Sequence, residues 1–152
     1  MKIGIIGGGQ LGLMIAEAAK DLGHEIYSLD SNEDCPIKTV TDHHIVADFD
    51  DTMSINKLID MTDVVTYEFE NIILDDIEDE NNKIIQGIET LKISQNRLLE
   101  KNTISAMNVK TAKYRGLDTI DTIEFPSIIK SISGGYDGKN QFVIRNQNDI
   151  DQ

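Results

Sequence analysis

Along residues 1–90 the apolar positions switch repeatedly between two spacings. Lys2 to Ile6 is a short β-branched run and reads as a buried strand. Leu11, Met14, Ile15, Ala18 and Leu22 then fall on one helical stripe, which predicts a helix closed by Gly23. Glu25 to Leu29 predicts a second strand, ending at Asp30. A polar turn through Ser31–Asp34 and Pro36 precedes a third strand at His44–Ala47. Asp50 and Asp51 supply an N-cap for a helix to about Met61, with Met53, Leu58 and Ile59 directed inward. Val64 to Thr66 is the fourth strand, Ile73 to Asp79 a weak acidic helix, and Lys83 to Gln86 the fifth strand. This alternation predicts an α/β fold: an open parallel sheet of five strands with helices on both faces.

Beyond residue 90 the pattern changes. Gln95 to Met107 predicts one helix with Leu98, Leu99, Ile104 and Met107 on one side. Strand-like runs follow at Ala112–Tyr114, Ser127–Ile132 and Gln141–Arg145, the last two forming a hairpin around a glycine loop. Asn148 to Gln152 reads as the opening of a further helix. The change of pattern divides the chain into residues 1–93 and 94–152.

Charge narrows the function. Acidic residues outnumber Lys and Arg by 27 to 14, a net charge of -13. That argues against nucleic acid and anionic membranes, which select basic surfaces. It leaves room for an anionic small ligand, since backbone N–H groups at a helix N-terminus hold phosphate locally. The single cysteine, Cys35, can form no intrachain disulfide and reads as a bystander in a polar turn. With no leader-like segment and no apolar run long enough to span a membrane, the expectation is a soluble cytoplasmic protein. His24, His43 and His44 lack metal-ligand spacing, so no metal site is expected in the chain.

Two glycine segments carry the candidate chemistry. Gly7-x-Gly9-x-x-Gly12 follows a strand and opens a helix, and Asp30 stands at the tip of the second strand. Taken alone this is a dinucleotide fingerprint and points to a NAD(P)-binding domain. The bland reading is that the glycines only permit close strand–helix packing. The second segment, Gly134 to Gln141, holds three glycines with Tyr136, Asp137 and Lys139. It lacks the end of a Walker loop but suits phosphate contact by backbone N–H groups. Lys130, in Ile128–Ile132, reads as a lysine in a buried strand that needs an anionic partner, or as an edge residue with its ammonium in water. Thr66-Tyr67-Glu68-Phe69-Glu70-Asn71 lies at the carboxyl end of the fourth strand, where open parallel sheets bind ligands.

Together, Gly7–Gly12, Tyr67-Glu68-Phe69-Glu70-Asn71, Gln95–Lys101, Phe125-Pro126, Lys130 and Gly134–Lys139 occur in an order that resembles the N5-carboxyaminoimidazole ribonucleotide synthetases, ATP-grasp enzymes of purine biosynthesis. The resemblance implies a Rossmann-like pre-ATP-grasp domain over 1–93 and the beginning of an ATP-grasp small subdomain over 94–152. It implies a ligase that carboxylates 5-aminoimidazole ribonucleotide with bicarbonate and ATP, with Mg2+ as cofactor and a homodimer as the assembly. By motif, Gln10, Leu11 and Glu68 would contact the ribonucleotide. Arg97 and Lys130 would contact ATP, with Gly135, Tyr136, Asp137, Gly138, Lys139, Asn140 and Gln141 as a loop over its phosphates. Tyr136 and Asp137 would lie nearest the reacting groups, and the loop is expected to be poorly ordered without ATP. Leu13 departs from the basic residue usual after Gln-Leu-Gly, Asn140 stands where the family has glycine, and the stretch from Thr111 to Phe125 is shorter than usual. The Mg2+-binding acids of the family belong to a larger subdomain beyond Gln152, so the chain alone is expected to be inactive. The competing readings are a NAD(P)-binding domain and a non-catalytic regulatory or assembly fragment.

Overall fold

In the computed structural model, residues 1–73, 76–77, 79–117, 123–134 and 140–150 are described. The chain divides into two compact units, Met1–Leu91 and Lys92–Gln152.

The first unit is built on four parallel strands: β1 (Lys2–Ile6), β2 (Glu25–Asp30), β3 (His43–Val46) and β4 (Val64–Tyr67). Their order is β3-β2-β1-β4. Successive side chains alternate between faces, and two cores result. Ile5 and Ile26 join Ala16, Ala19, Cys35 and Ile37 on the face covered by α1 (Gln10–Asp21). Ile6, Tyr27, Leu29 and Val65 join Ile55, Leu58 and Ile59 on the face covered by α2 (Thr52–Met61). Ile5, Ile26, Leu29, Ile55 and Leu58 are fully buried, each contributing about 1.5–3 kcal/mol of hydrophobic stabilisation.

The expected fifth strand is reduced to one parallel bridge, Val65 to Ile84. The Asp79 carboxylate accepts the N–H groups of Lys83 and Ile84 at 2.6 and 3.1 Å, and the chain turns at once through Gly87 with φ +77°. These local bonds end the pairing after a single residue. None of the described residues between Ile73 and Asp79 is helical, contrary to the acidic helix expected there.

The helix faces also differ from expectation. Asp51 caps α2 as expected, its side chain accepting from the Ser54 N–H, and Leu58 and Ile59 are buried. Met53, however, is 83% exposed. In α1 the buried residues are Gly12, Ala16 and Ala19, while Leu11, Met14 and Leu22 lie outside. A helix seated this closely on a sheet selects small residues on its inner face, and hydrophobicity alone misassigns that face.

The helix expected over Gln95–Met107 is present but starts two residues later, behind a separate helix that was not expected. Asn96 accepts the N–H groups of Leu98 and Leu99 and so starts a new helix, α4 (Arg97–Ala106), after α3 (Ile88–Gln95). Leu99 and Met107, two members of the expected apolar side, are 42% and 69% exposed. Ala112–Tyr114 is not a strand. β5 (Ser127–Lys130) and β6 (Gln141–Ile144) form the expected antiparallel hairpin, with Lys130 opposite Gln141. A short 3-10 turn covers Gln147–Asp149 where a helix start was expected.

Candidate functional site

β1 ends at Ile6, and the chain reverses through Gly7-Gly8-Gly9 into α1. Gly7 has φ +102°, a conformation that side chains disfavour. A Cβ on Gly8 would lie 2.5 Å from Cys35 Sγ and 2.8 Å from Ile37 Cγ2. A Cβ on Gly12 would lie 2.2 Å from the Gly7 carbonyl oxygen. Close packing therefore accounts for Gly7, Gly8 and Gly12. It does not account for Gly9, which is exposed and has nothing within 4 Å of a built Cβ. Gly9 is the N-cap of α1, no side chain caps it, and the first turn carries no acid. The result is an accessible helix start that favours an anion.

Glu68 stands beside this turn. Its N–H donates to the Ile6 carbonyl at 2.8 Å, and a Cβ on Gly7 would lie 3.4 Å from Glu68 Cβ. Glu68 is half-buried, and the next residue, Phe69, packs on Phe49 with ring centroids 4.4 Å apart. Gln10 and Leu11 occupy the first exposed positions of α1, Leu11 at 61% exposure. The fold thus gathers Gln10, Leu11 and Glu68 at the carboxyl edge of the sheet.

The residues beneath the turn have little sequence signal. Cys35 is buried under Gly8 rather than standing in a solvated turn. Its sulfur lies 3.8 Å from His44 Nε2, and His44 Nδ1 is 2.8 Å from the buried Ser28 hydroxyl. Burial, and then the negative charge of Asp30, push the Cys35 thiol above its usual pKa. That disfavours the thiolate a nucleophile needs. An open hollow of about 650 Å³, lined by Lys2, Glu25, Asp60, Asp63 and Lys83 among others, opens at the amino ends of the strands instead. It is at the opposite edge from the turn and has no convergent chemistry.

In the second unit, the Arg97 N–H donates to the Ile132 carbonyl at 2.8 Å, and its Nε reaches the Ser131 carbonyl at 3.4 Å. The Ser131 N–H donates to the Asn140 carbonyl at 3.1 Å. Arg97, Lys130, Asn140 and Gln141 therefore meet at the loop end of the β5–β6 hairpin. Lys130 is exposed, which favours the edge reading over the buried-strand one: among the described residues its strand pairs only with β6, and no further layer covers it. Asn140 adopts φ +55°, the left-handed conformation that asparagine tolerates better than most residues. Gly135, Tyr136, Asp137, Gly138 and Lys139, and the expectation that this loop is poorly ordered, lie outside the described residues.

Residues 1–95 match the model of the ribonucleotide synthetase preATP-grasp domain. The chain belongs to the ribonucleotide synthetase preATP-grasp family.

Among its relatives, an N5-carboxyaminoimidazole ribonucleotide synthase of Staphylococcus epidermidis is 40% identical, covering 99% of this chain and 42% of the relative. An N5-carboxyaminoimidazole synthetase of Staphylococcus aureus, solved with ADP, superposes with a TM-score of 0.90 at 39% identity, over 99% of this chain and 43% of that one. A carboxyaminoimidazole ribonucleotide synthase of Aspergillus clavatus, solved with ATP, gives a TM-score of 0.85 at 26% identity, over 99% and 42%. The chain spans less than half the length of the relatives it matches. The preATP-grasp assignment covers the unit that holds the glycine turn, Gln10, Leu11 and Glu68. No helix among the described residues is long and apolar enough to cross a membrane.

Proposed function

We propose that this chain supplies the ribonucleotide-binding part, and the start of the ATP-binding part, of a ligase that carboxylates 5-aminoimidazole ribonucleotide with bicarbonate and ATP. The observation that carries the reading is the accessible start of α1 at Gly9, which packing leaves unexplained, in a chain 40% identical to a synthase of that name. The ribonucleotide phosphate lies against the N–H groups of Gln10 and Leu11, whose partial positive charge offsets the acidic surface. Glu68, one strand away, accepts hydrogen bonds from the ribonucleotide. In the second unit Arg97 and Lys130 hold ATP phosphates, and the loop Gly135–Gln141 covers them. Tyr136 and Asp137 stand nearest bicarbonate and the exocyclic amine.

The chemistry is a transfer in two bond changes. A bicarbonate oxygen takes the γ-phosphoryl group of ATP, releasing ADP. The exocyclic amine then forms the N–C bond, directly or with CO2 released from carboxyphosphate, and the departing inorganic phosphate takes up the proton the amine gives up. Arg97 and Lys130 would offset charge on the moving phosphoryl group. Mg2+ belongs to this chemistry by resemblance, but no group of three His, Cys, Asp or Glu residues among the described residues could hold it. The reading also places the enzyme in the cytoplasm as a homodimer, on the resemblance alone.

The test is calorimetric titration of residues 1–152 with 5-aminoimidazole ribonucleotide and with NADH. Saturable binding of the ribonucleotide that is weakened by Glu68→Gln is expected, with no comparable affinity for NADH. Micromolar binding of NADH with none of the ribonucleotide would overturn the proposal in favour of a dinucleotide domain.

A further inference from the structure

Asp30 occupies the position at which a dinucleotide-binding fold places its ribose-binding acid. Its carboxylate faces inward to the glycine turn. Oδ2 accepts the Gly8 N–H at 2.6 Å, and Oδ1 accepts the Asn32 N–H at 2.8 Å. Both are charge-assisted bonds to main-chain donors, about twice as strong as neutral ones. The Gly8 carbonyl is held as well, accepting the Ile37 N–H at 3.0 Å. Cys35 and Ile37 fill the space beneath it. The two peptides flanking the Gly8 Cα are thus held, one through its N–H by Asp30 at the end of β2 and the other through its carbonyl by Ile37. Gly9, at the start of α1, is the next residue.

From this geometry we infer that Asp30 is a positioning residue: it fixes the Gly7–Gly8 peptide, and through it the start of α1, and does not act as a ribose ligand. This deepens the ribonucleotide reading and rests on it for the identity of the ligand. The consequence is a change in specificity logic. A ribose-binding acid discriminates by the sugar hydroxyls. A carboxylate that holds the turn discriminates nothing about the sugar and sets the affinity of any phosphate-bearing ligand at the helix start. It also leaves the helix-start N–H groups to the ligand, because the Asp30 carboxylate is engaged at Gly8, ahead of them.

The experiment is amide hydrogen exchange by NMR on the 152-residue chain and its Asp30→Ala and Asp30→Asn variants. It is combined with titrations of ribose 5-phosphate and 2-deoxyribose 5-phosphate. In Asp30→Ala, exchange at Gly8 and Asn32 should quicken about tenfold, the loss of one charge-assisted bond at each. Exchange at Glu68, whose N–H donates to Ile6 at the same sheet edge, should stay unchanged. Asp30→Asn keeps one acceptor oxygen, and Gly8 and Asn32 should fall between the two. If Asp30→Ala does not fold, a selective effect at Gly8 or Asn32 in Asp30→Asn supports the inference equally. Both sugar phosphates should lose affinity by the same factor in the variants. Unchanged exchange at Gly8 and Asn32, equal acceleration at Glu68, or loss confined to the ribose form would each overturn the inference. If the wild-type chain binds neither sugar phosphate, the ribonucleotide reading fails, while the exchange data still decide whether Asp30 holds the turn.

Discussion

Replacing Gly12 by alanine adds one methyl group at the tightest of the glycine positions in the first unit. The new Cβ would lie 2.2 Å from the Gly7 carbonyl oxygen, where ordinary contact begins near 3.4 Å. The obstructing atom is backbone in the glycine turn, so no side-chain rotation relieves it. The start of α1 must withdraw by about 1 Å, or the Gly7 peptide must rotate, in a closely packed interior. Overpacking of this kind costs about 1–3 kcal/mol, and alanine returns up to about 1 kcal/mol of helix propensity. A net loss of about 1–2 kcal/mol is expected. For a unit of this size that lowers the melting temperature by about 4–16 °C. The assay is thermal unfolding followed by circular dichroism, with Gly9→Ala as the control. Gly9 meets nothing within 4 Å, so its substitution tests loss of the N-cap glycine without a clash. Gly9→Ala should cost much less than Gly12→Ala. A Gly12→Ala chain that melts at or above the wild-type temperature would refute the packing argument. So would an equal loss in the two variants.

Three further outcomes are expected. Gly8→Ala should be destabilising through the 2.5 Å approach to Cys35 Sγ, and Cys35→Ala should relieve part of that loss, giving a coupling of about 0.5 kcal/mol or more in a urea-unfolding double-mutant cycle; strict additivity would count against it. The Asp42 carboxyl is held below its usual pKa, first by the Ile26 N–H and then by the Lys20 ammonium. Its stabilising contribution is therefore fully present above the unfolded value, about 3.9, and is lost as pH falls through the depressed folded value. Melting temperatures measured from pH 6 to pH 2 should fall less steeply in Asp42→Asn than in wild type, and parallel curves would contradict this. Finally, in a chimera that joins residues 1–152 to the remainder of the Staphylococcus epidermidis relative, Lys130→Met should raise the KM for ATP about tenfold, as expected for loss of a charged phosphate contact. Bicarbonate- and ribonucleotide-dependent phosphate release measures it, and an unchanged KM would remove Lys130 from the ATP site.

The periodicity of the chain determined its alternation of strands and helices, because the two spacings have different geometric causes. It also placed the Asp51 cap, the β5–β6 hairpin and the glycine turn, all of which depend on residues near one another in sequence. Tertiary structure decided what those local preferences compete with. Asp79 draws the N–H groups of Lys83 and Ile84 to itself and so removes a fifth strand that the apolar run proposes. The inner face of α1 belongs to Gly12, Ala16 and Ala19 because the helix lies too close to the sheet for Leu11 or Met14. Lys130 is exposed where, among the described residues, β6 is the one strand beside it. Cys35 and Asp30, 27 and 22 residues from Gly8, reach it only when β2 folds back beside β1. A dinucleotide fingerprint gives the spacing of such an acid, but the direction of its carboxylate is set by which donors the fold brings within 3 Å. Here those donors are the Gly8 and Asn32 amides, so the same spacing yields a turn anchor.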